Sequence, residues 1–433
     1  ALVVGGGIFG LTAALELRRR GWGVRLLDAG PVPAGRGASA DASKLVRMDY
    51  GSDGFMTALA EMAMSGWDAW NVRWERPLFH QDGVLLLTRH PLTPGGFEHD
   101  SRATVLDRGH AIHDVDATVL EDRFPAWQAH TWGHGYMNPR AGWVEAHQVV
   151  ARLARDARRA GVRLRREEVR EIRTGEGRRP GVVTSTGATH RSDAVVVAAG
   201  AWTPELVPSV AGAMRPALQP VVYLRVPTPR QWQAPEFPPW AADIASSGWY
   251  GLPASDDGRL KIGHHGRGLG RDLPGASEVP ADHVDRCRIF LAEALPALAD
   301  LPVAGTRVCP YCDTFDGDFW IGRDPSRPQI TVAAGGSGHA FKFAPILGPL
   351  IADAVEGRAN RWGRRFDWRA PGPEGFEAAR QADVPGEPAE SPASPAPPAE
   401  SGKSEERGGS PPAPPEARVR APSPPEPEEL EEQ

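Results

Sequence analysis

Residues able to do chemistry gather late in the chain. Cys309-Pro-Tyr311-Cys312-Asp-Thr-Phe-Asp-Gly-Asp-Phe-Trp-Ile-Gly322 supplies two thiols and a phenol. Ala333-Ala-Gly335-Gly336-Ser-Gly338-His339-Ala-Phe341-Lys342-Phe-Ala-Pro345 adds an imidazole and an ammonium behind a glycine turn. Gln329 to Ala334 reads as a short buried strand. Phe343 to Val355 reads as a helix with Pro345 early, where a missing N–H costs little. A glycine turn entering a helix N-terminus points free amides and the positive dipole end at one spot, which suits negative charge.

A second glycine turn stands at the other end. Ala1-Leu-Val-Val-Gly5-Gly-Gly7-Ile8-Phe9-Gly10 gives a strand, then G-x-G-x-x-G, then a helix through Arg19. Gly23 to Asp28 is a second strand, and it ends in an acid at the distance from Gly7 that the motif asks for. This is the dinucleotide fingerprint in its required context. Gly5, Gly7, Ile8, Phe9 and Gly10 border the pyrophosphate, and Asp28 accepts from a ribose hydroxyl. NAD fits this motif as well as FAD does. A reduced flavin carries negative charge along its N1–C2=O edge that suits the distant glycine turn, as a phosphate or carboxylate would.

Lysine usage is the third signal. From Ala1 to Ala370 the chain holds 41 arginines and three lysines, Lys44, Lys261 and Lys342. Arginine serves nearly everywhere a positive charge is needed, so the lysines mark places that want a compact, tunable ammonium. All three lie in motif-like stretches.

The elements that position these groups follow in order. Ile8 to Arg19 is a helix, and Pro31 to Asp53 reads as a ligand-holding loop containing Ser43-Lys44-Leu-Val-Arg47. Phe55 to Trp74 has apolar residues at helical spacing, with Leu59, Met62, Ala63, Trp67 and Trp70 taken as core. Leu78 to Asn138 reads as short strands and turns, and Ala146 to Ala160 as a helix. Gly161 to Arg165 and Val169 to Ile172 read as strands. Asp193 to Trp202 is a buried parallel strand stopping at Gly200. Gln219 to Val226, Gly248 to Leu252 and Arg259 to His265 are strands of a second domain. Asp282 to Leu298 is an amphipathic helix with Cys287 as a structural thiol.

The expected fold is α/β: a Rossmann-like, glutathione-reductase-type nucleotide domain interleaved with an antiparallel-sheet substrate domain, followed by a disordered tail. The nucleotide domain takes 1–77, 141–212 and 305–366. The substrate domain takes 78–140 and 213–304, and the tail takes 367–433. Interleaving puts a pocket at the domain interface.

From Pro371 onward there are 16 prolines and 14 acids against five basic residues and one aromatic. Such a segment buries too little apolar surface to order itself. The tail carries −9 of the overall charge of −6, which leaves +3 on the stretch from Ala1 to Ala370. No basic stripe points to nucleic acid, no apolar run nears the roughly 20 residues of a membrane span, and no metal is expected. Three cysteines point to a reducing compartment, taken as the cytoplasm. The last residues form no peroxisomal signal, and the absent initiator Met leaves open a preceding segment.

Together these motifs resemble the flavoprotein group of monomeric sarcosine oxidase, N-methyltryptophan oxidase, pipecolate oxidase and fructosyl amino acid oxidase. The resemblance covers nearly all of residues 1 to 366. It rests on the glycine loop, Ser43-Lys44-x-x-Arg47, Val197-Ala-Ala-Gly200-Ala-Trp202, Tyr250-Gly-Leu-Pro, Lys261-Ile-Gly-x-His265, Cys309-x-Tyr311 and Gly335-Gly336-Ser-Gly338-His339-x-Phe341-Lys342. It implies FAD held covalently by a thioether from Cys309; a buried free thiol and a Cys309/Cys312 redox pair are the alternatives. It implies that Lys261 activates oxygen, and that Arg47 and Lys342 grip a substrate carboxylate. Tyr250, His265 and Tyr311 would shape the pocket. Ser43, Lys44, Val169, Gly200, Gly336, Gly338, His339, Phe341 and Lys342 join the cofactor contacts. Ala340 departs from the usual glycine, and Lys44 stands as in the fructosyl amino acid oxidase branch.

The reading is an FAD-dependent oxidase of secondary amines, acting as a monomer on an N-substituted or cyclic amino acid with O2 and yielding an imine and hydrogen peroxide. The rivals are a flavin dehydrogenase with another acceptor and a non-catalytic flavoprotein with a partner-binding tail.

Overall fold

Leu2–Val4 is apolar and buried on both faces, as a strand covered from both sides must be. It pairs in parallel with Arg25–Asp28 and with Val195–Val197. Arg163–Arg166 and Arg327–Ala334 extend the parallel set, and Trp320–Asp324 closes one edge antiparallel. One face packs on helices Ile8–Arg19, Gly54–Arg73, Ala146–Arg159 and Ala344–Glu356 in a single core with Trp67 and Phe343. The other face shares a core with Ile172 and Val182. These belong to a separate antiparallel sheet of Val169–Gly175, Arg178–Thr184 and Thr189–Arg191. The structure is a computed structural model that describes residues 1–33, 35–175, 178–270, 278–373 and 375. The sequence-predicted tail falls almost wholly outside the described residues.

The second large sheet has eight strands in the order Val303–Thr314, Met214–Arg225, Arg259–His264, Trp249–Leu252, Trp240–Ala242, Val84–Thr88, His134–Asn138, His113–Asp116. All neighbours are antiparallel except Val84–Thr88 with Trp240–Ala242. One face builds a core with helix Ala281–Ala294. On that face Phe290 stacks on Trp240 and Trp249. The opposite face carries the chemistry. Tyr223 sits directly across from Lys261, Gly263 from Tyr250, and Gln219 from Cys309. Because side chains alternate along a strand, Lys261, Tyr223, Cys309 and Tyr311 share one side. Gly263 makes room there, since a Cβ would fall 2.2 Å from the Tyr250 ring.

Four expectations change. Leu78 to Asn138 contains helices as well as strands: Phe97–Asp107, Ala117–Arg123 and Ala129–Trp132. Phe97–Asp107 buries only Ser101 and Val105, too thin a stripe to show as a period. Pro31 to Asp53 is not all loop, because Lys44–Val46 pairs with Gly142–Val144, which also pairs with Phe79–His80. Met62 is exposed; Met56, Ala60 and Met64 face the core instead. Residues 305–314, assigned to the nucleotide domain, continue the strand Val303–Thr314, which pairs along its length with Met214–Arg225. Among the described residues no helix is long and apolar enough to cross a membrane.

The two helices that follow the glycine turns lie against each other. Gly348 is the close point, where a Cβ would fall 2.6 Å from the Thr12 carbonyl oxygen. Gly348→Val is expected to cost about 1–3 kcal/mol through overpacking. The urea midpoint reads this, and an unchanged midpoint would mean that the helices separate freely.

Candidate active site

The N-terminal turn is built from glycines that no other residue replaces. Gly5 has φ +103°, and a Cβ there would lie 2.3 Å from the Ala198 oxygen; one on Gly10 would lie 1.9 Å from the Gly5 oxygen. Helix Ile8–Arg19 therefore starts hard against the end of Val195–Val197, where Gly200 opens a short 3-10 turn. Asp28 Oδ2 accepts from the Gly6 N–H at 2.7 Å, and Oδ1 accepts from Gly30 at 2.8 Å. Burial pushes its carboxyl up against the pull of these two amides. Ile8 N–H donates to Ser39 Oγ at 3.0 Å. Phe9 meets Phe319 edge-on. Val169 packs against the core cluster that includes Leu2, Val4 and Leu27.

The second glycine turn is tied to the strand that carries the cysteines. Ser337 N–H donates to the Cys312 carbonyl at 2.9 Å, and Thr314 N–H donates to Ser337 Oγ at 3.2 Å. Gly338 has φ +78°, and a Cβ there would strike Tyr311 at 2.3 Å. Gly336 packs beside Ala340, the position that departs from the usual glycine. His339 Nε2 donates to the Gly317 carbonyl at 2.9 Å, and Nδ1 lies 3.0 Å from Tyr50 OH. Phe341 stacks on Trp67. The buried Lys342 ammonium lies 4.7 Å from the Tyr50 ring centre, and the Arg47 guanidinium lies 5.7 Å from it.

A carboxylate that the sequence reading left without a role is the hub. Asp41 is 1% exposed. Its Oδ2 takes the Lys261 ammonium at 2.5 Å and Lys44 at 3.4 Å, and Cys309 Sγ lies 3.8 Å from the same oxygen. Its Oδ1 accepts from Tyr223 OH at 2.6 Å. Lys261 also donates to the Ser43 carbonyl at 2.8 Å. Burial opposes charge on Asp41, but Lys261 and Lys44 overcome it and hold the carboxyl far below the usual range. Burial and then Asp41 push the Cys309 thiol up. Burial likewise pushes the Tyr250 and Tyr311 phenols up.

A cavity of about 320 Å³ gathers Lys44, Arg47, Tyr250, Lys261, His265, Tyr311, Gly338, His339, Phe341 and Lys342 on its walls, with Tyr50, Phe97 and Ile244. Gly5, Gly7, Ile8, Phe9, Gly10, Asp28, Ser43, Val169, Gly200, Cys309 and Gly336 do not line it. Ser43 and Cys309 stand one layer behind through Asp41 and Lys261; Gly336 lies in the second glycine turn beside Phe9 and Ala340, Val169 packs on the core beneath the sheet, and the others belong to the N-terminal turn or the strand ends beside it. A second cleft of about 530 Å³, lined by Glu61, Arg108 and His110 among others, contains none of the sequence-predicted residues.

The Cys309/Cys312 redox pair does not form. Residues three apart on a strand point to opposite faces. Cys309 meets Asp41, whereas Cys312 meets Met214 at 3.7 Å. All three cysteines are buried free thiols, and burial pushes Cys287 up to about 12.

The family model for the FAD dependent oxidoreductase DAO matches residues 1–354. The chain belongs to this family. FAD fits the residues present: a glycine turn packed so closely that Gly5 and Gly10 have no room for a Cβ enters helix Ile8–Arg19, and Asp28 stands at its edge. N-methyl-L-tryptophan oxidase of Salmonella typhi is 28% identical over 365 residues, covering 82% of this chain and 94% of that protein. The solved structure of fructosamine oxidase (Amadoriase II) from Aspergillus fumigatus is similar at a TM-score of 0.72 and 26% identity, covering 85% of this chain and 88% of that one. Fructosyl peptide oxidase from E. terrenum shares the fold at a TM-score of 0.75 and 22% identity, covering 88% and 94%. Four residues that matter here were not singled out from sequence: Ser39, Asp41, Tyr50 and Tyr223. The first three sit in or beside the quoted Ser43-Lys44-x-x-Arg47 stretch, whose polar content was the available signal. Tyr223 gave none, because its neighbour Lys261 belongs to a different strand well along the chain.

Proposed function

We propose that this FAD-dependent oxidoreductase oxidises secondary amines, N-substituted or cyclic amino acids, with dioxygen as the electron acceptor. The observation that carries the reading is one cavity holding the buried Lys261 ammonium together with Arg47 and Lys342. The amine loses two electrons and two protons to become an imine, and O2 gains them as hydrogen peroxide. Bound FAD supplies the two-electron relay between them.

Arg47 and Lys342 bind the substrate carboxylate, with Tyr50 spacing the two cations. An Arg fork grips both oxygens and a Lys adds a point charge. The amine is oriented as its neutral form, because the acids at the cavity wall are engaged. Asp53 and Asp318 pair with Arg365 at 2.7 and 2.6 Å, and Asp316 pairs with Arg369 at 2.6 Å. Tyr250, Tyr311 and His265 shape the wall and exclude water. Reduction of O2 develops negative charge, which a fixed ammonium in a dry site stabilises far more than bulk water does. Lys261 is that ammonium.

Cys309 is the proposed point of thioether attachment, supported by its burial beside the lysine cluster. Lys44, His339, Phe341 and the two glycine turns hold the cofactor. We take the compartment to be the reducing cytoplasm and the active form to be a monomer; the unpaired, buried thiols of Cys287 and Cys312 support the former.

Peroxide release across sarcosine, pipecolate, N-methyltryptophan, saccharopine and fructosyl amino acids tests the activity, and no release with any of them counts against it. Lys261→Met is expected to slow flavin reoxidation by about 100-fold or more while leaving anaerobic reduction largely intact. Equal damage to both halves, read by stopped-flow absorbance, would remove Lys261 from the oxygen step. Arg47→Ala is expected to raise KM about 10- to 100-fold, the cost of a lost charge-assisted hydrogen bond. An unchanged KM moves the carboxylate site elsewhere. Acid precipitation should leave yellow flavin with the wild-type protein and release it from Cys309→Ser. Full release from the wild type refutes the thioether.

A further inference from the structure

We propose that Asp41 is a positioning residue for the oxygen half-reaction: its carboxylate fixes the Lys261 ammonium at the cavity wall and lets Lys261 and Lys44 stand charged side by side. This rests on the oxidase reading above and assigns a role to a group that the reading does not use.

The geometry separates Asp41 from the reacting space. Lys261 and Lys44 line the cavity and Asp41 does not. It therefore touches neither substrate nor oxygen and acts only through the two lysines. Both ammonium groups bond the same oxygen, Oδ2, which makes them neighbours. The elements around the cluster contribute further groups, among them the Phe341 ring 6.0 Å from Lys44 Nζ and the Tyr311 phenol, which burial holds protonated and which lies in the field of Lys44. The loop gives Asp41, Lys44 and the Ser43 carbonyl, and Met214–Arg225 gives Tyr223. Trp249–Leu252 gives Tyr250, whose ring centre lies 5.5 Å from Lys261 Nζ. Val303–Thr314 gives Cys309 and Arg307, the latter acting on Asp41 through its charge. Tyr223, Tyr250 and Cys309 are held protonated by burial. Asp41 is thus the anion set against Lys261, Lys44 and Arg307.

Buried like charges side by side favour loss of a proton from one of them, and a carboxylate bridging them removes that drive. Without Asp41, the site gives up a proton at lower pH and loses the charge that oxygen reduction needs. Asp41→Asn keeps the shape and removes the charge.

The test is the pH profile of reoxidation of the reduced, FAD-loaded full chain by O2, followed by stopped-flow absorbance. In Asp41→Asn the alkaline inflection moves down by about one unit or more, so the rate is about tenfold below wild type at pH 9 and within about threefold at pH 6. Lys44→Met removes a competing cation and moves the inflection up. The double variant recovers part of the downward shift. If Asp41→Asn does not fold, Lys44→Met alone carries the test, and no upward shift overturns the proposal.

A second readout is the melting temperature of the same proteins against pH. A carboxyl held below its unfolded value of about 3.9 gives stability that is full above that pH and fades as pH falls through it toward the folded value. The wild-type advantage over Asp41→Asn therefore narrows from about pH 5 to about pH 3. An advantage independent of pH, or slower reoxidation with an unchanged profile, overturns the proposal and leaves the oxidase reading standing. A wild type that amines reduce but O2 does not reoxidise overturns both.

Discussion

A carboxylate with almost no surface in water cannot stay ionised unless cations and donors come to it. Asp41 is such a group, and meeting its needs fixes four separate segments in register. Its own loop supplies Lys44, one strand supplies Lys261, the next supplies Tyr223, and the edge strand brings the Cys309 thiol alongside. Tyr223 and Lys261 stand directly opposite in the sheet. A slip of one residue would turn both away from the loop and leave the carboxylate buried without partners. The same interaction that fills the site therefore also specifies how the sheet is built.

The two halves of the molecule meet through this arrangement. The first sheet ends at two glycine turns: a Cβ on Gly5 or Gly10 would collide with a backbone carbonyl, and one on Gly335 or Gly338 with the Thr314 or Tyr311 side chain. The second sheet offers a face of thiol, ammonium and phenols, while its reverse face is a core of Trp240, Trp249 and Phe290. The second sheet supplies the Lys261 ammonium, while Lys342 follows the second glycine turn and Lys44 and Arg47 come from the segment between the layers. The segment from Ser39 to Tyr50, which includes the strand Lys44–Val46, joins them. Ser39 engages the first helix, Asp41 the second sheet, and Tyr50 the imidazole of the second glycine turn.

Much of this was legible in the chain because it is local. A strand, three glycines, a helix and an acid are close in sequence and have one common arrangement, so Leu2–Val4, Ile8–Arg19 and Asp28 were readable. The long helices Gly54–Arg73 and Ala146–Arg159 announce themselves by period. Asp41 was not legible, because its partners lie 182, 220 and 268 residues away and an aspartate in a Ser/Ala/Gly loop looks like a turn residue. Helices between Leu78 and Asn138 were missed where burial involves too few residues to set a period. The segment 305–314 was misplaced because its apolar content fits either sheet, and only pairing with Met214–Arg225 decides between them.

The scarcity of lysine has a physical reason that the fold supplies. Lys44, Lys261 and Lys342 all line one cavity. An arginine at 261 would bring five N–H donors in a rigid plane into a space whose acceptors are the Asp41 carboxylate and the Ser43 carbonyl. The donors left over would be buried unpaired, which costs more than the extra bonds return. An ammonium has three donors that rotate to whatever acceptors exist. It also keeps its charge at a point. On the protein's surface neither restriction applies, and there the chain uses arginine.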